Sequence, residues 1–203
     1  TGSRLHAGAG QDNKITGVNS SISAGQNNAI SGNESSISAG VGNTVNGNTS
    51  SIHAGSSNKI NSNNAGIIAG SDNRISGQSA AIGGGLQNKA SGQLSSILGA
   101  SIVGGRKNTT DETSTHVTVV GGEENTVSGS YGTVVGGEKN LVSGEKSVIV
   151  GGRQNTLVSN LGTLVGGTNN QISGGNREFL GCGNENRIIN SESGFIGAGG
   201  LNV

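Results

Sequence analysis

The stretch Ile22-Ser23-Ala24-Gly25-Gln26-Asn27-Asn28-Ala29-Ile30-Ser31-Gly32 returns with its pattern intact over Ile37–Gly47 and again over Ile52–Ser62. The period is 15 residues. Followed outward in both directions from Asn28, this register produces a ladder of Asn13, Asn28, Asn43, Asn58, Asn73, Asn88, Asn108, Asn125, Asn140, Asn155, Asn170, Asn186 and Asn202. Eight of its twelve spacings equal 15. Low-complexity disorder keeps no such register. A fixed short period marks a solenoid, in which each unit buries its apolar residues only against its neighbours.

Three residues before every Asn of the ladder stands a Gly, from Gly10 and Gly25 through to Gly183 and Gly199. An invariant Gly followed by a polar pair is the pattern of a tight turn with positive φ. A second turn is expected four residues after the Asn, where Gly17, Gly32, Gly47, Gly77, Gly92, Gly129, Gly144 and Gly174 recur. Two turns per repeat leave room for two strands of about four or five residues. In the first strand, the residue six before the Asn is Ile, Val or Leu in every copy but the first, for example Ile22, Ile82, Val134 and Leu180. The residue four before is Ala or Gly, with Cys182 the exception, and is expected to be the small inward partner. In the second strand the large inward residue comes two after the Asn, as at Ile15, Ile30, Val127 and Ile188. The sequence therefore predicts an all-β fold: a thin parallel β-roll of about thirteen coils stacked about 4.8 Å apart. Stacking sets Ile on Ile and Asn on Asn, and the Asn side chains bond along the stack. Residues 1–203 form one domain, with subregions 1–98 and 118–203 separated by an irregular, insertion-bearing segment 99–117.

Composition agrees with a solenoid and excludes much else. Of 203 residues, 40 are Gly, two are Phe and one is Tyr, with no Trp, Met or Pro, so an ordinary globular core cannot be filled. Twelve Lys+Arg against twelve Asp+Glu give no surplus of positive charge for nucleic acid. No apolar run approaches the roughly 20 residues of a membrane span, and the first residues carry no hydrophobic signal core. These features predict a soluble fragment of something longer, without direct membrane insertion. The lone Cys182 excludes an internal disulfide and is expected to be a small buried hydrophobe. His6, His53 and His116 occupy unrelated positions and Asp is sparse, so neither catalysis, a cofactor nor a metal is expected.

The two outer faces differ in kind. Residues just after the Asn include Lys14, Lys59, Arg74, Lys89 and Arg187, and the three consecutive cations Lys59, Arg74 and Lys89 form a candidate ligand-binding ridge. The outward residues of the first strand carry no charge in any copy. They run from Ser21/Ser23 and Ser36/Ser38 to Thr118/Val120, Thr133/Val135, Val148/Val150 and Thr163/Val165. A flat uncharged sheet that turns apolar along its length is a contact surface, so Val120, Val135, Val148, Val150 and Val165 are expected to lie in an interface between copies of the chain. In the turn before the Asn, Arg106-Lys107 is expected beside Glu123-Glu124, then Glu138-Lys139, then Arg153. The period breaks from Asn88 to Asn108 and from Asn108 to Asn125. Outward loops are therefore expected at 95–101 and 109–116, offering Thr109, Asp111, Glu112 and His116 as further ligand candidates.

The repeat Ile-x-(Ala/Gly)-Gly-x-x-Asn-x-(Ile/Val)-x-Gly resembles the YadA-like head repeats of trimeric autotransporter adhesins, over residues 5 to 203. The resemblance implies a left-handed parallel β-roll in each chain, a homotrimer, and a place on the surface of a Gram-negative bacterium. There such heads bind host cells, extracellular matrix or other bacteria through proteins or glycans. The anchor, stalk and signal peptide of such adhesins have no counterpart in the sequence, so it reads as a head fragment. A departure from the pattern is Gly121-Gly122, Gly136-Gly137, Gly151-Gly152 and Gly166-Gly167, where earlier coils have Ala-Gly. Two alternatives share parts of the architecture. One is the structural β-solenoid of a trimeric phage fibre. The other is a left-handed β-helix enzyme, which calls for hexapeptide periodicity and a usable His.

Overall fold

The structure is a computed structural model that describes residues 5–92 and 101–203. Among these residues there is no helix. Two parallel sheets, one of thirteen strands and one of twelve, run the length of the molecule, and successive coils contribute one strand to each. The chain thus makes about twelve full turns, slightly fewer than the thirteen Asn suggest, because the last Asn is not followed by a strand of the second sheet.

Register follows the repeat. Ile22 pairs with Ile37, Ile37 with Ile52 and Ile52 with Ile67 in the larger sheet, while Ile30 pairs with Val45 and Val45 with Ile60 in the smaller. Both apolar columns are closed to solvent: Ile22, Ile37, Val45, Ile52, Ile60, Val134, Ile149 and Leu164 are all 0% exposed. They form one continuous core cluster along the axis.

Most strands are only two residues long, as at Ser36–Ile37 and Thr44–Val45, shorter than expected. The reason lies in the turns. The invariant Gly adopts φ between 90° and 132°, and the residue just before the ladder Asn is also left-handed, near 55° at Asp12, Asn27, Ser57 and Lys139. With two left-handed residues in four, the chain bends sharply and its pleated part is reduced to the residues flanking one inward side chain. The bend also turns the position four before the Asn away from the core. Ala24, Ala39 and Ala54 are half-buried and Cys182 is exposed, so neither the Ala column nor Cys182 is the inward small residue expected.

That role falls eight residues before the Asn, to Ser20, Ser35, Ser50, Ala65, Ala80 and Ser147, all buried. The hydroxyls make a second internal ladder. Ser35 Oγ donates to Gly47 O at 2.8 Å and accepts the backbone N–H of Ser50 at 3.1 Å. Glu178 occupies the same column, is 2% exposed, and neither carboxylate oxygen has a hydrogen-bond partner. Glu178→Ser is expected to raise stability by about 1–3 kcal/mol by removing an unpartnered buried carboxyl. An unchanged or lower melting temperature would show that the carboxyl is accommodated in some other way.

Most second-turn glycines are needed for close stacking, Gly174, with φ 69°, being left-handed instead. Gly32, Gly47 and Gly129 have ordinary φ, and the left-handed residues are two further on, at Glu34, Thr49 and Tyr131. A Cβ on Gly32 would overlap the carbonyl of Gly47 in the next coil, so it is close stacking that demands Gly. The Gly-Gly pairs separate the two kinds of position. At Gly137, φ is 91° and a Cβ would collide with Gly152 O, whereas a Cβ on Gly136 would meet nothing within 4 Å. Gly137→Ala is expected to lower the melting temperature steeply and Gly136→Ala to leave the single roll's fold intact, as thermal melts by circular dichroism would show.

Candidate functional site

From Asn28 to Asn186 the column of ladder Asn is sealed inside, and its chemistry is spent on the fold. Asn58 Nδ2 donates to Asn43 Oδ1 at 3.1 Å and to Gly70 O at 2.9 Å, and Asn58 Oδ1 accepts the backbone N–H of Asn73 at 3.0 Å. With Asn58 0% exposed, the column offers nothing to a ligand. Recognition must come from the outer faces and the corners.

On the outer face of the larger sheet, Val120, Val135 and Val150 are each 42% exposed and Val165 is 41%, stacked in one row. Val148 lies in the neighbouring row with Thr133 and Thr163 and is half-buried. The row continues backward through Val103 and Ile68, which are 58% and 61% exposed. Between those two, Gly66, Ala81 and Gly83 leave a shallow apolar recess of about 350 Å³. Beside the valines run Gly104, Gly121, Gly136, Gly151 and Gly166, at each of which a Cβ would meet nothing within 4 Å. The single chain therefore has no steric use for Gly there. At the far end Phe179 and Phe195 stack at 5.3 Å in the same sheet.

The outer face of the smaller sheet carries the cations. Lys59 pairs with Arg74 and Arg74 with Lys89, in register, so the three side chains line one row. Thr109 follows Lys89 in that row. Lys14 is on the same line, separated from Lys59 by Ala29 and Thr44.

The two expected protrusions are not as drawn from the sequence. Of the first, 95–101, all but Ser101 lies outside the described residues. Ser101 itself is a ladder strand residue, paired with Ala81 and Thr118. Of the second, Thr109–Thr110 is a strand too, and Thr110 is fully buried, its Oγ1 accepting the N–H of Ser91 at 3.0 Å. Segment 99–117 therefore holds two regular strands, and the two sheets run on through it. Only Asp111, Glu112 and Thr113 form an exposed outward bend, since two extra residues are absorbed without breaking either ladder. Thr109 and His116 are thus not parts of a projecting loop.

His116 instead takes a left-handed corner position and stacks on Tyr131, with ring centroids 4.7 Å apart and planes 3° from parallel. Lys146 Nζ stands 5.8 Å from the Tyr131 centroid. Sequence reasoning missed Tyr131 and Lys146 as corner partners, although His116, Tyr131 and Lys146 are spaced by the repeat. Glu112 reaches back to the cationic row, its Oε1 lying 3.8 Å from Lys89 Nζ.

The opposite corner carries the expected charge stack. Arg106 pairs with Glu123, Lys107 with Glu124 at 3.4 Å, and Lys139 with Glu124 at 3.8 Å. Glu138 lies at 3.0 Å from Lys139, and that hydrogen bond, then the Lys139 charge, with smaller help from Arg153 and Arg106, holds its carboxyl below the usual range. These pairs are solvent-exposed, so they fix register more than they add stability.

Fold and faces together define a parallel β-solenoid repeat protein, with an internal polar ladder, one uncharged apolar-striped face and one face bearing a cationic row. Neither a protein-family model nor a curated protein matches the chain.

Proposed function

We propose that this chain is the head of a trimeric surface adhesin of a Gram-negative bacterium, built on YadA-like repeats and holding on to host cells, matrix or other bacteria through its repetitive outer surface. The observation that carries the reading is the uncharged face of the larger sheet. Its exposed row Val103, Val120, Val135, Val150 and Val165 is flanked by glycines that the single chain does not need. Close approach of a neighbouring copy supplies a use for both, because apolar side chains gain by leaving water and Gly lets a backbone come near. Three copies set side by side would bury these faces toward a common axis and turn the cationic faces and the corners outward. The exposed surface would then repeat both along the axis and around it, so that weak single contacts add through avidity.

The test is oligomeric state. The parent is expected to scatter light as a trimer, and Val135→Lys or Val150→Lys, which sets three like charges near the axis, should dissociate it. A monomeric parent, or Lys variants that stay trimeric and as stable as the parent, would remove the contact from this face. Adhesion of cells displaying the head, compared with cells lacking it, tests the biological half of the reading.

A further inference from the structure

We propose that the row Lys59, Arg74 and Lys89 is a track for one extended strand of an acidic polysaccharide, and that Glu112 caps the end of the track by pairing with Lys89. This names a ligand class for the adhesive surface and rests on that reading for its biological setting.

The row is built by the ladder itself. Strand pairing holds the three cations in register, one per coil, at intervals of about 4.8 Å. Like charges directly opposite one another disfavour a sheet, and the fold does not require them, since Ala29, Thr44, Thr126 and Thr156 fill the same position in other coils. Keeping a sheet edge from pairing is no explanation either, because these strands are interior to the twelve-stranded sheet. The twelve residues of the row, from Lys14 to Arg187, include no Asp or Glu. Among the described residues the only ion pair to any of the three cations is Lys89–Glu112. Lys59 and Arg74 are therefore uncompensated, and the carboxylate at the end of the row comes from the bend made by the insertion.

The shape of the site selects the class of polyanion. It is a single file on a flat sheet, flanked two residues beyond Lys59 by the exposed Asn61, whose Oδ1 accepts from Asn46 Nδ2 at 3.0 Å, and beyond Arg74 by the half-buried Ser76, whose hydroxyl donates to Ser91 Oγ at 3.2 Å. An extended pyranose chain advances by about one coil rise per sugar and turns over from one sugar to the next, so the carboxylates or sulfates on the side facing the sheet come within reach of the flexible side chains of the in-register row. Nucleic acid fits less well, because no aromatic residue stands in the row to stack a base. Glu112 has the same charge as such a ligand and must leave Lys89 for the strand to occupy all three positions. That makes the insertion a competitor built into the site.

Binding of the folded chain to immobilised heparin (sulfated), alginate (carboxylated), dextran (neutral) and duplex DNA, measured across a salt series, tests this. Heparin or alginate is expected to bind at low salt and dextran not to bind, and the stronger of the first two identifies the acidic group. Lys59→Gln with Arg74→Gln should weaken binding at least tenfold and lower the salt slope by about one for each cation removed. Lys59→Arg with Lys89→Arg, which keeps every charge, should bind as the parent does. Glu112→Gln, in the exposed bend, should strengthen binding several-fold at low salt. No binding of either acidic polymer, an undiminished Gln double variant, or DNA bound as tightly as heparin would overturn the track. An unchanged Glu112→Gln would overturn the cap. Light scattering on the same samples keeps the two proposals apart. A monomer that binds heparin sinks the trimeric reading alone, and an adherent trimer that binds no acidic polymer sinks the track alone.

Discussion

Asn73→Leu should cost about 3–5 kcal/mol, although the new side chain has nearly the same size and the site is fully buried. Asn73 Nδ2 donates to Asn58 Oδ1 at 3.1 Å, Gly85 O at 2.9 Å and Ala69 O at 3.4 Å. Its Oδ1 accepts from the backbone N–H and the Nδ2 of Asn88, at 3.0 and 3.1 Å. Leu replaces none of these. The N–H of Asn88 loses its partner inside the roll, where water cannot replace it, and the amide chain is cut in two. Asn63 is the control: its Oδ1 accepts the N–H of Asn48 at 2.8 Å, but on an exposed corner. Asn63→Ala should therefore cost well under about 1 kcal/mol. Chemical denaturation of the two variants settles the matter. Equal, small losses would mean that the internal ladder is ornament to the apolar columns.

Ile149→Asp is expected to be worse, more than about 4 kcal/mol. Ile149 is 0% exposed, stacked between Val134 and Leu164 in the larger sheet, and belongs to the axial core cluster. A carboxylate there has no donor to meet and no path to solvent. The roll is thin, so no second layer can rearrange to hold it. Stability in a solenoid is a sum over neighbouring coils, so the damage should be local first. Limited proteolysis should cut the variant around residues 135–165 while coils before Gly92 stay protected. Ile149→Val, which removes one methylene and keeps the column, should cost only about 1 kcal/mol. An Asp variant that melts like the parent would mean that the apolar column does not face inward.

These two outcomes test what was most legible in the sequence. Ile149 could be assigned inward and Asn73 to a bonded stack because a solenoid of fixed period has only one register, and thirteen copies of it were available to read. The charge stack from Arg106 to Arg153 was legible for the same reason. Features that depend on the path within one coil were not. Ala24 and Cys182 looked inward by alternation, but alternation holds only while the chain stays pleated, and here it turns at once. The Ser column went unnoticed because Ala, Gly, Val and Glu178 interrupt it, and its common property is small size and burial, not residue type.

The sequence by itself determined the period, the all-β class, the two apolar columns, the Asn ladder and the sign of each outer face. Except for the cations, which hold only five of the twelve positions in their row, these features recur coil after coil, and repetition converts a weak local preference into a unique register. Only the tertiary structure decided which glycine is left-handed and which is pressed against the next coil, since both are simply Gly in the sequence. It also decided where the irregular coil yields. Thr110 stays in the ladder and Asp111–Thr113 bends out, because the N–H of Ser91 needs the Thr110 hydroxyl while those three residues are exposed to water. The pairing of Glu112 with Lys89 arises the same way. Residues one coil apart are distant in the chain and adjacent in space, and where the spacing departs from 15 only the folded stack says which of them meet.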